Sequence, residues 1–280
     1  MSGIREEFLA FRSSQVHYSI WGNGPELLVC FAGYGESGTA FHFLHGLISP
    51  AQYVMLTIDL PFHGRTIWLE GLSCTPGELA SIIDSIRKSE QLGTGIFSVM
   101  GFSLGGRVAL SLVETIPGNI GKMILLAPDG LQSSLWYRMA TQTWMGRRWF
   151  NRTIGRPAWL LVGLRAANRL GIIHPERFKF IYHYIQDAET RKNLYQRWIC
   201  LRFFRPRLGD IRQKVKKHQI LVRMIFGKED RMISYQAGFR FCKGIESLSR
   251  VEIIPAGHLI LQEKHAATLV GLLSTEPTDG

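Results

Sequence analysis

Apolar and polar positions alternate with a period of two over residues 7–21, with a break at Ser13-Ser14. That pattern predicts an opening two-stranded hairpin. Continuous apolar runs at 26–31, 53–58, 95–100, 122–127, 220–226 and 250–254 predict buried strands. Helical spacing recurs between them, at 39–48, 75–91, 106–114, 234–243 and 258–273. The second of these carries its own start signal, with Thr75 as cap, Pro76 in the first turn and Glu78 closing a capping box. Alternating strands and helices predict an α/β fold: a doubly wound, mostly parallel sheet with an antiparallel N-terminal hairpin. The alternation fails between 131 and 217, where the pattern is helical, aromatic and basic. This stretch is too long for a loop, so a helical cap inserted after the sixth strand is expected. Residues 1–130 and 218–280 then form one core domain, and 131–217 a second. Residues 274–280 are polar and are expected to fray.

In open parallel sheets, chemistry collects at the carboxyl ends of the strands. Gly101-Phe102-Ser103-Leu104-Gly105 follows the fifth strand and opens a helix. The pattern G-x-S-x-G has three fixed positions and arises by chance, but between a strand and a helix it predicts a nucleophile on a tight turn. Glycine on either side removes the Cβ atoms that would collide there. The helix start aims unpaired N–H groups and a positive dipole at the serine oxygen. Asp230 follows the strand at 220–226, and His258 follows the strand at 250–254 in Pro255-Ala256-Gly257-His258. A serine hydroxyl is a poor nucleophile until an imidazole takes its proton, and a carboxylate on the other ring nitrogen fixes the tautomer. Ser103, Asp230 and His258 are therefore the candidate catalytic residues. Of nine histidines, only His258 sits in a Gly-His turn after the last strand. Asp230 competes with its neighbour Glu229 and with Asp129, which also follows a strand and could instead contact substrate or hold the cap. The oxyanion needs two donors: the Leu104 amide, and the Tyr34 amide in Ala32-Gly33-Tyr34-Gly35-Glu36-Ser37. Gly33, Phe102, Asp129, Trp144 and Trp149 are expected to bind substrate.

Composition narrows the picture. An apolar fraction of 46% and a charged fraction of 20% over 280 residues belong to a globular protein with a sizeable core. The four cysteines show neither C-x-x-C nor metal spacing, so reduced thiols, no metal and no cofactor are expected. No apolar run approaches the ~18–20 residues that span a bilayer. No secretory signal pattern opens the sequence, so a cytoplasmic protein is expected. The net charge is +11, and its distribution is uneven. Residues 131–219 hold 19 Lys or Arg against 4 Asp or Glu, net +15, leaving −4 for the remainder. That excess fits a solvated face, an anionic membrane touched peripherally through the cap, or a pocket for an anionic group on the substrate. No nucleic-acid-binding module accompanies it, so no nucleic acid is expected.

These motifs give the chain a family resemblance. It resembles the capped α/β-hydrolases of the esterase, lipase and C–C hydrolase type. The matching stretches are Ala32 to Ser37, Asp59-Leu60-Pro61-Phe62-His63-Gly64, Met100 to Gly106, Gly227 to Asp230, and Gly257-His258. Two departures stand out: Ala32-Gly33 replaces the usual His-Gly, and Phe62 replaces the glycine of Pro-Gly-His-Gly. The resemblance implies a serine hydrolase cleaving a small-molecule acyl ester or thioester, with a lid that sets substrate preference. It leaves C–C hydrolysis of a diketone-type acid, or a catalytically idle adaptor binding membrane or protein, as alternatives. A serine at 103 argues against the branches that use an aspartate nucleophile.

Overall fold

A computed structural model describes residues 3–132, 135–171, 178, 182, 185 and 187–273. The tail expected to fray, 274–280, lies outside the described residues. β1 (Arg5–Phe11) and β2 (Ser14–Trp21) form the antiparallel hairpin. β3 (Glu26–Phe31), β4 (Tyr53–Ile58), β5 (Phe97–Phe102), β6 (Ile120–Leu126), β7 (Leu221–Gly227) and β8 (Ser249–Ile254) follow. Among the described residues these form one eight-stranded sheet, ordered β1-β2-β4-β3-β5-β6-β7-β8. β2 meets β4 antiparallel, and every pairing from β4 to β8 is parallel. This is the doubly wound sheet that the alternation predicts. All six residues of β4 are buried, as expected of a central parallel strand covered on both faces.

Helices complete the layers. α1 (Pro76–Ser89) starts on the predicted capping box: the Glu78 amide donates to Thr75 Oγ1 at 3.1 Å, and the Thr75 amide donates to Glu78 Oε2 at 2.9 Å. Its Leu79, Ile82, Ile83 and Ile86 are buried on one face. α2 (Leu104–Thr115) buries nine of its twelve residues. Two predicted helices differ. Residues 39–48 wind as a 3₁₀ helix, Gly38–Gly46, whose buried residues Gly38, Phe41 and Leu44 recur every third position. That spacing suits three residues per turn. Residues 258–273 are mostly not α-helical: a 3₁₀ turn, Glu263–His265, leads into a short helix, Ala266–Gly271. The chain at 258–262 makes tight turns instead, with the Ile260 amide on His258 O and the Gln262 amide on Ile260 O.

The chain divides into two compact units. Of the described residues, the first holds 3–70, 75–132 and 204–273, and the second holds 71–74, 135–171, 178, 182, 185 and 187–203. The second is built from α3 (Leu135–Gln142), α4 (Trp144–Gly155), α5 (Ala158–Arg169) and α6 (Ala188–Cys200). Its end falls short of the expected boundary at 217. α7 (Leu208–His218) belongs to the first unit, because it buries Ile211 and Val215 and its Arg207 bonds Glu114 at the end of α2. Among the described residues no helix is long and apolar enough to cross a membrane.

One buried carboxylate ties the first unit's loops together. Asp59, just past β4, accepts His17 Nδ1 at 2.8 Å and the Arg65 amide at 2.8 Å through Oδ2. Its Oδ1 accepts the Gly38 amide at 2.6 Å. The side chains of His17 and Asp59 are 2% and 1% exposed. Phe62, in the same loop, adopts φ 62°, the left-handed region where glycine is at ease. Removing the carboxylate leaves the His17 ring and the Gly38 and Arg65 amides without their acceptor, at about 1–3 kcal/mol for each buried donor left unpaired. Asp59→Ala is therefore expected to lower unfolding free energy by about 3 kcal/mol or more. Urea denaturation followed by fluorescence measures it.

Candidate active site

β5 runs straight into Ser103, whose backbone stands at φ 49°, ψ −111°. A residue with a Cβ pays about 1–3 kcal/mol for such a conformation. Three hydrogen bonds and a steric fit hold it there. The Ser103 amide donates to Leu126 O at 2.9 Å. The Ser103 carbonyl accepts the Gly106 amide at 3.0 Å and the Asp129 amide at 2.8 Å. A Cβ on Gly101 would strike the Gly105 carbonyl, and one on Gly105 would strike the Phe31 carbonyl. Only glycine lets these backbone segments approach so closely. The hydroxyl is thereby presented at the start of α2, beside the Leu104 amide, which as the first helical residue has no partner four residues back.

Asp230 and His258 arrive from β7 and β8, and the loops that carry them are pinned to each other. The Lys228 amide donates to Ile254 O at 2.8 Å, and the Glu229 amide donates to Ala256 O at 3.0 Å. Asp230 Oδ1 accepts the Met232 and Ile233 amides at 2.7 and 2.9 Å. Its Oδ2 lies 2.7 Å from His258 Nδ1, and His258 Nε2 lies 3.0 Å from Ser103 Oγ. An ionised carboxylate can only accept, so Nδ1 carries the proton and Nε2 faces the hydroxyl as acceptor. Burial opposes ionisation of Asp230, but the bonds from His258 and from the Ile233 and Met232 amides outweigh it, holding the carboxyl below the ordinary range. The Phe102 ring, 3% exposed, lies 5.5 Å from the His258 ring. It backs the imidazole and offers little open surface to a substrate.

The other predicted residues are placed as follows. Residues 33–36 form a turn closed by the Glu36 amide on Gly33 O at 3.2 Å, with Gly35 at φ 79° and Tyr34 second in the turn. A Cβ on the buried Gly33 would crowd the Phe102 ring and the Glu36 carboxyl. Asp129 stands apart from the imidazole: its carboxylate pairs with Arg107 on α2 and accepts the Gly130 amide at 2.6 Å, while its own amide holds Ser103. It buttresses the turn. Trp144 and Trp149 belong to the second unit and are 67% and 64% exposed. Sequence reasoning missed Glu36, whose carboxylate accepts the Gly33 amide at 2.9 Å and orders the turn. Burial raises the Glu36 pKa, opposed by that amide and by the charge of His258. A glutamate three residues after a loop glycine was the available signal. Among the described residues no three His, Cys, Asp or Glu side chains gather as metal ligands would.

A serine, an imidazole and a carboxylate at three strand ends can move a proton off a hydroxyl. Residues 28–271 match the sequence model of the Alpha/beta hydrolase family. The chain belongs to that family. The hydrolase is 25% identical over 257 residues to an uncharacterized hydrolase of Bacillus subtilis, YugF, covering 89% of each chain. It is 22% identical over 258 residues to a 2-hydroxy-6-oxononadienedioate/2-hydroxy-6-oxononatrienedioate hydrolase of Escherichia coli, covering 84% of this chain and 82% of that one. Among solved structures, a thioesterase domain from the curacin biosynthetic pathway superposes with a TM-score of 0.64 at 18% identity, over 97% of this chain and all of that one. The last likeness speaks for the fold alone.

Asp230→Asn keeps the shape of the relay but lets the imidazole take the wrong tautomer. Any hydrolytic turnover that runs through this relay is expected to fall by about 10⁴ in kcat, as steady-state kinetics of the two forms would measure. The depressed carboxyl also fixes a pH dependence. Asp230 stabilises the fold above the ordinary aspartate range, near pH ~4, and that contribution fades as pH falls through its lower folded value. The stability gap between wild type and Asp230→Asn, read by denaturant titration, is expected to shrink between neutral pH and about pH 3.

Proposed function

We propose that this hydrolase cleaves carboxylic esters or thioesters through an acyl-enzyme on Ser103. The observation that carries the reading is the unbroken line from Ser103 Oγ through both nitrogens of His258 to Asp230 Oδ2, with steps of 3.0 and 2.7 Å. Ser103 Oγ attacks the acyl carbon while His258 Nε2 takes the hydroxyl proton. The amides of Leu104 and Tyr34 receive the oxyanion; losing one such donor typically costs about 10²–10³ in rate. The imidazolium, stabilised by Asp230, gives its proton to the departing alcohol or thiol. Water then attacks the acyl-enzyme, His258 takes one of its protons and passes it to Ser103 Oγ as the ester bond breaks, and the carboxylic acid leaves, losing its remaining proton to solvent. Substrates with an apolar acyl chain and an anionic group suit the aromatic and basic composition of the second unit.

A second reading has a specific observation behind it: the Escherichia coli relative named as a hydrolase of 2-hydroxy-6-oxo diacids spans 84% of this chain. In that case the bond cleaved is C–C, next to a ketone, in an anionic diketone-type acid.

A fluorophosphonate probe, which reacts with activated serines, is expected to label the wild type at one site, mapped to Ser103 by peptide mass spectrometry. Ser103→Ala is expected to lose both label and esterase turnover. An unlabelled wild type would mean an idle fold serving as an adaptor. A chain-length series of nitrophenyl esters set against a diketo acid then separates the two chemistries by kcat/KM.

A further inference from the structure

The second unit keeps an unusual outer face. α4 packs inward through Phe150, whose ring meets Tyr195 at 5.3 Å and Trp198 at 5.5 Å, and through Ile154 O, which accepts Arg191 Nε at 3.0 Å. Its opposite side carries Trp144, Met145, Arg148, Trp149 and Arg152, all exposed. On α5, Trp159 and Val162 are also exposed, at 55% and 66%. The rings of Trp149 and Trp159 meet edge to face at 6.5 Å, joining the outer sides of both helices. Large apolar side chains clustered in water mark a surface that something else covers.

Charge identifies what covers it. Residues 130–175 contain seven arginines, no lysine and no carboxylate. Arginine's planar fork matches phosphate with two parallel bonds, which lysine cannot do. Between α4 and α6 lies a concavity of about 290 Å³ whose walls include Trp144, Arg147, Arg148, Tyr195 and Arg202. Among the described residues no carboxylate pairs with these three arginines. Burial, followed by the nearby charge of Arg147, lowers the pKa of Arg202, as expected where a counter-anion is wanting. A nucleic acid or an acidic protein would use the arginines and leave Met145, Trp159 and Val162 in water. A free phosphate would fill the concavity and do the same. An anionic bilayer uses both sets, with tryptophans at headgroup level and guanidinium groups on phosphates.

We infer that the second unit docks on the surface of anionic phospholipid bilayers through the outer face of α4 and α5, with the arginine-lined concavity seating one lipid phosphate. This goes beyond the hydrolytic reading and does not depend on Ser103. The test uses the full chain in co-sedimentation with vesicles of phosphatidylcholine alone or mixed with phosphatidylglycerol. Binding to the mixed vesicles is expected to be at least about tenfold tighter and to weaken with added salt. Brominated acyl chains are expected to quench the tryptophan fluorescence of the bound protein. Arg148→Ala with Arg152→Ala is expected to weaken binding by about tenfold or more. Trp159→Ser is expected to weaken binding and reduce quenching, with circular dichroism showing the fold retained. Equal partitioning to both vesicles, or none, would overturn the inference. So would binding without quenching, full competition by glycerol phosphate, or retention on RNA in place of vesicles.

Discussion

A serine at φ 49° is sterically unwelcome, and the site depends on keeping it there. The strain is local, and the restraint comes from three directions. The end of β6 grips the Ser103 amide, the Asp129 amide grips its carbonyl, and Gly105 lets α2 sit against the Phe31 carbonyl. Each restraint is a backbone contact, so it survives most changes of side chain but not a Cβ at Gly101 or Gly105. Because those contacts come from β3, β6 and α2, the position of one hydroxyl is set by the parallel sheet as a whole. Strain that persists must be over-determined by its surroundings.

The same logic governs the partners. Asp230 and His258 are 28 residues apart in sequence, yet their loops share two backbone bonds before any side chain meets. The imidazole arrives already oriented, because Asp230 is fixed by two amides and Phe102 backs the ring. Three aspartates of the first unit share a pattern: Asp59, Asp129 and Asp230 each meet a cation or imidazole and at least one backbone amide. Donors of this kind take the place of the water that a carboxylate gives up on leaving solvent.

Much of this was legible in the chain because the signals were local. Apolar runs located all six later strands to within about two residues; the inner parallel strands, buried on both faces, have few polar positions to hide them, while the edge strand β8 mixes polar and apolar residues. The Thr75–Glu78 box placed a helix start because reciprocal capping needs only four residues. Ser103, Asp230 and His258 could be named because each follows a strand. What remained hidden depended on distant partners. Asp129 and Asp230 both follow strands, and only their distant partners separate them: Arg107 for the first, the His258 ring for the second. Residues 258–273 have helical spacing, but holding His258 at the strand end requires turns there, and tertiary placement overrides periodicity. α7 is as basic as the insert before it, so composition assigned it there; Ile211 and Val215, buried against the first unit's helices, decide otherwise.

Several described arginines of the two units differ in the partners they meet. In the first, arginines such as Arg5, Arg12, Arg65, Arg107 and Arg207 lie on carboxylates. In the second, Arg148 lies on Trp144, Arg165 on Tyr182, and Arg202 on Phe203 and Ile199 O. Those partners orient a guanidinium without neutralising it. A unit stabilised in this way keeps its positive potential, and the cost is self-repulsion that carboxylates would have relieved. Residues 130–175 hold no carboxylate that could relieve that repulsion. The bilayer proposed above would supply from outside the anions this stretch lacks, whereas the Ser103–His258–Asp230 line draws its carboxylate from within the first unit.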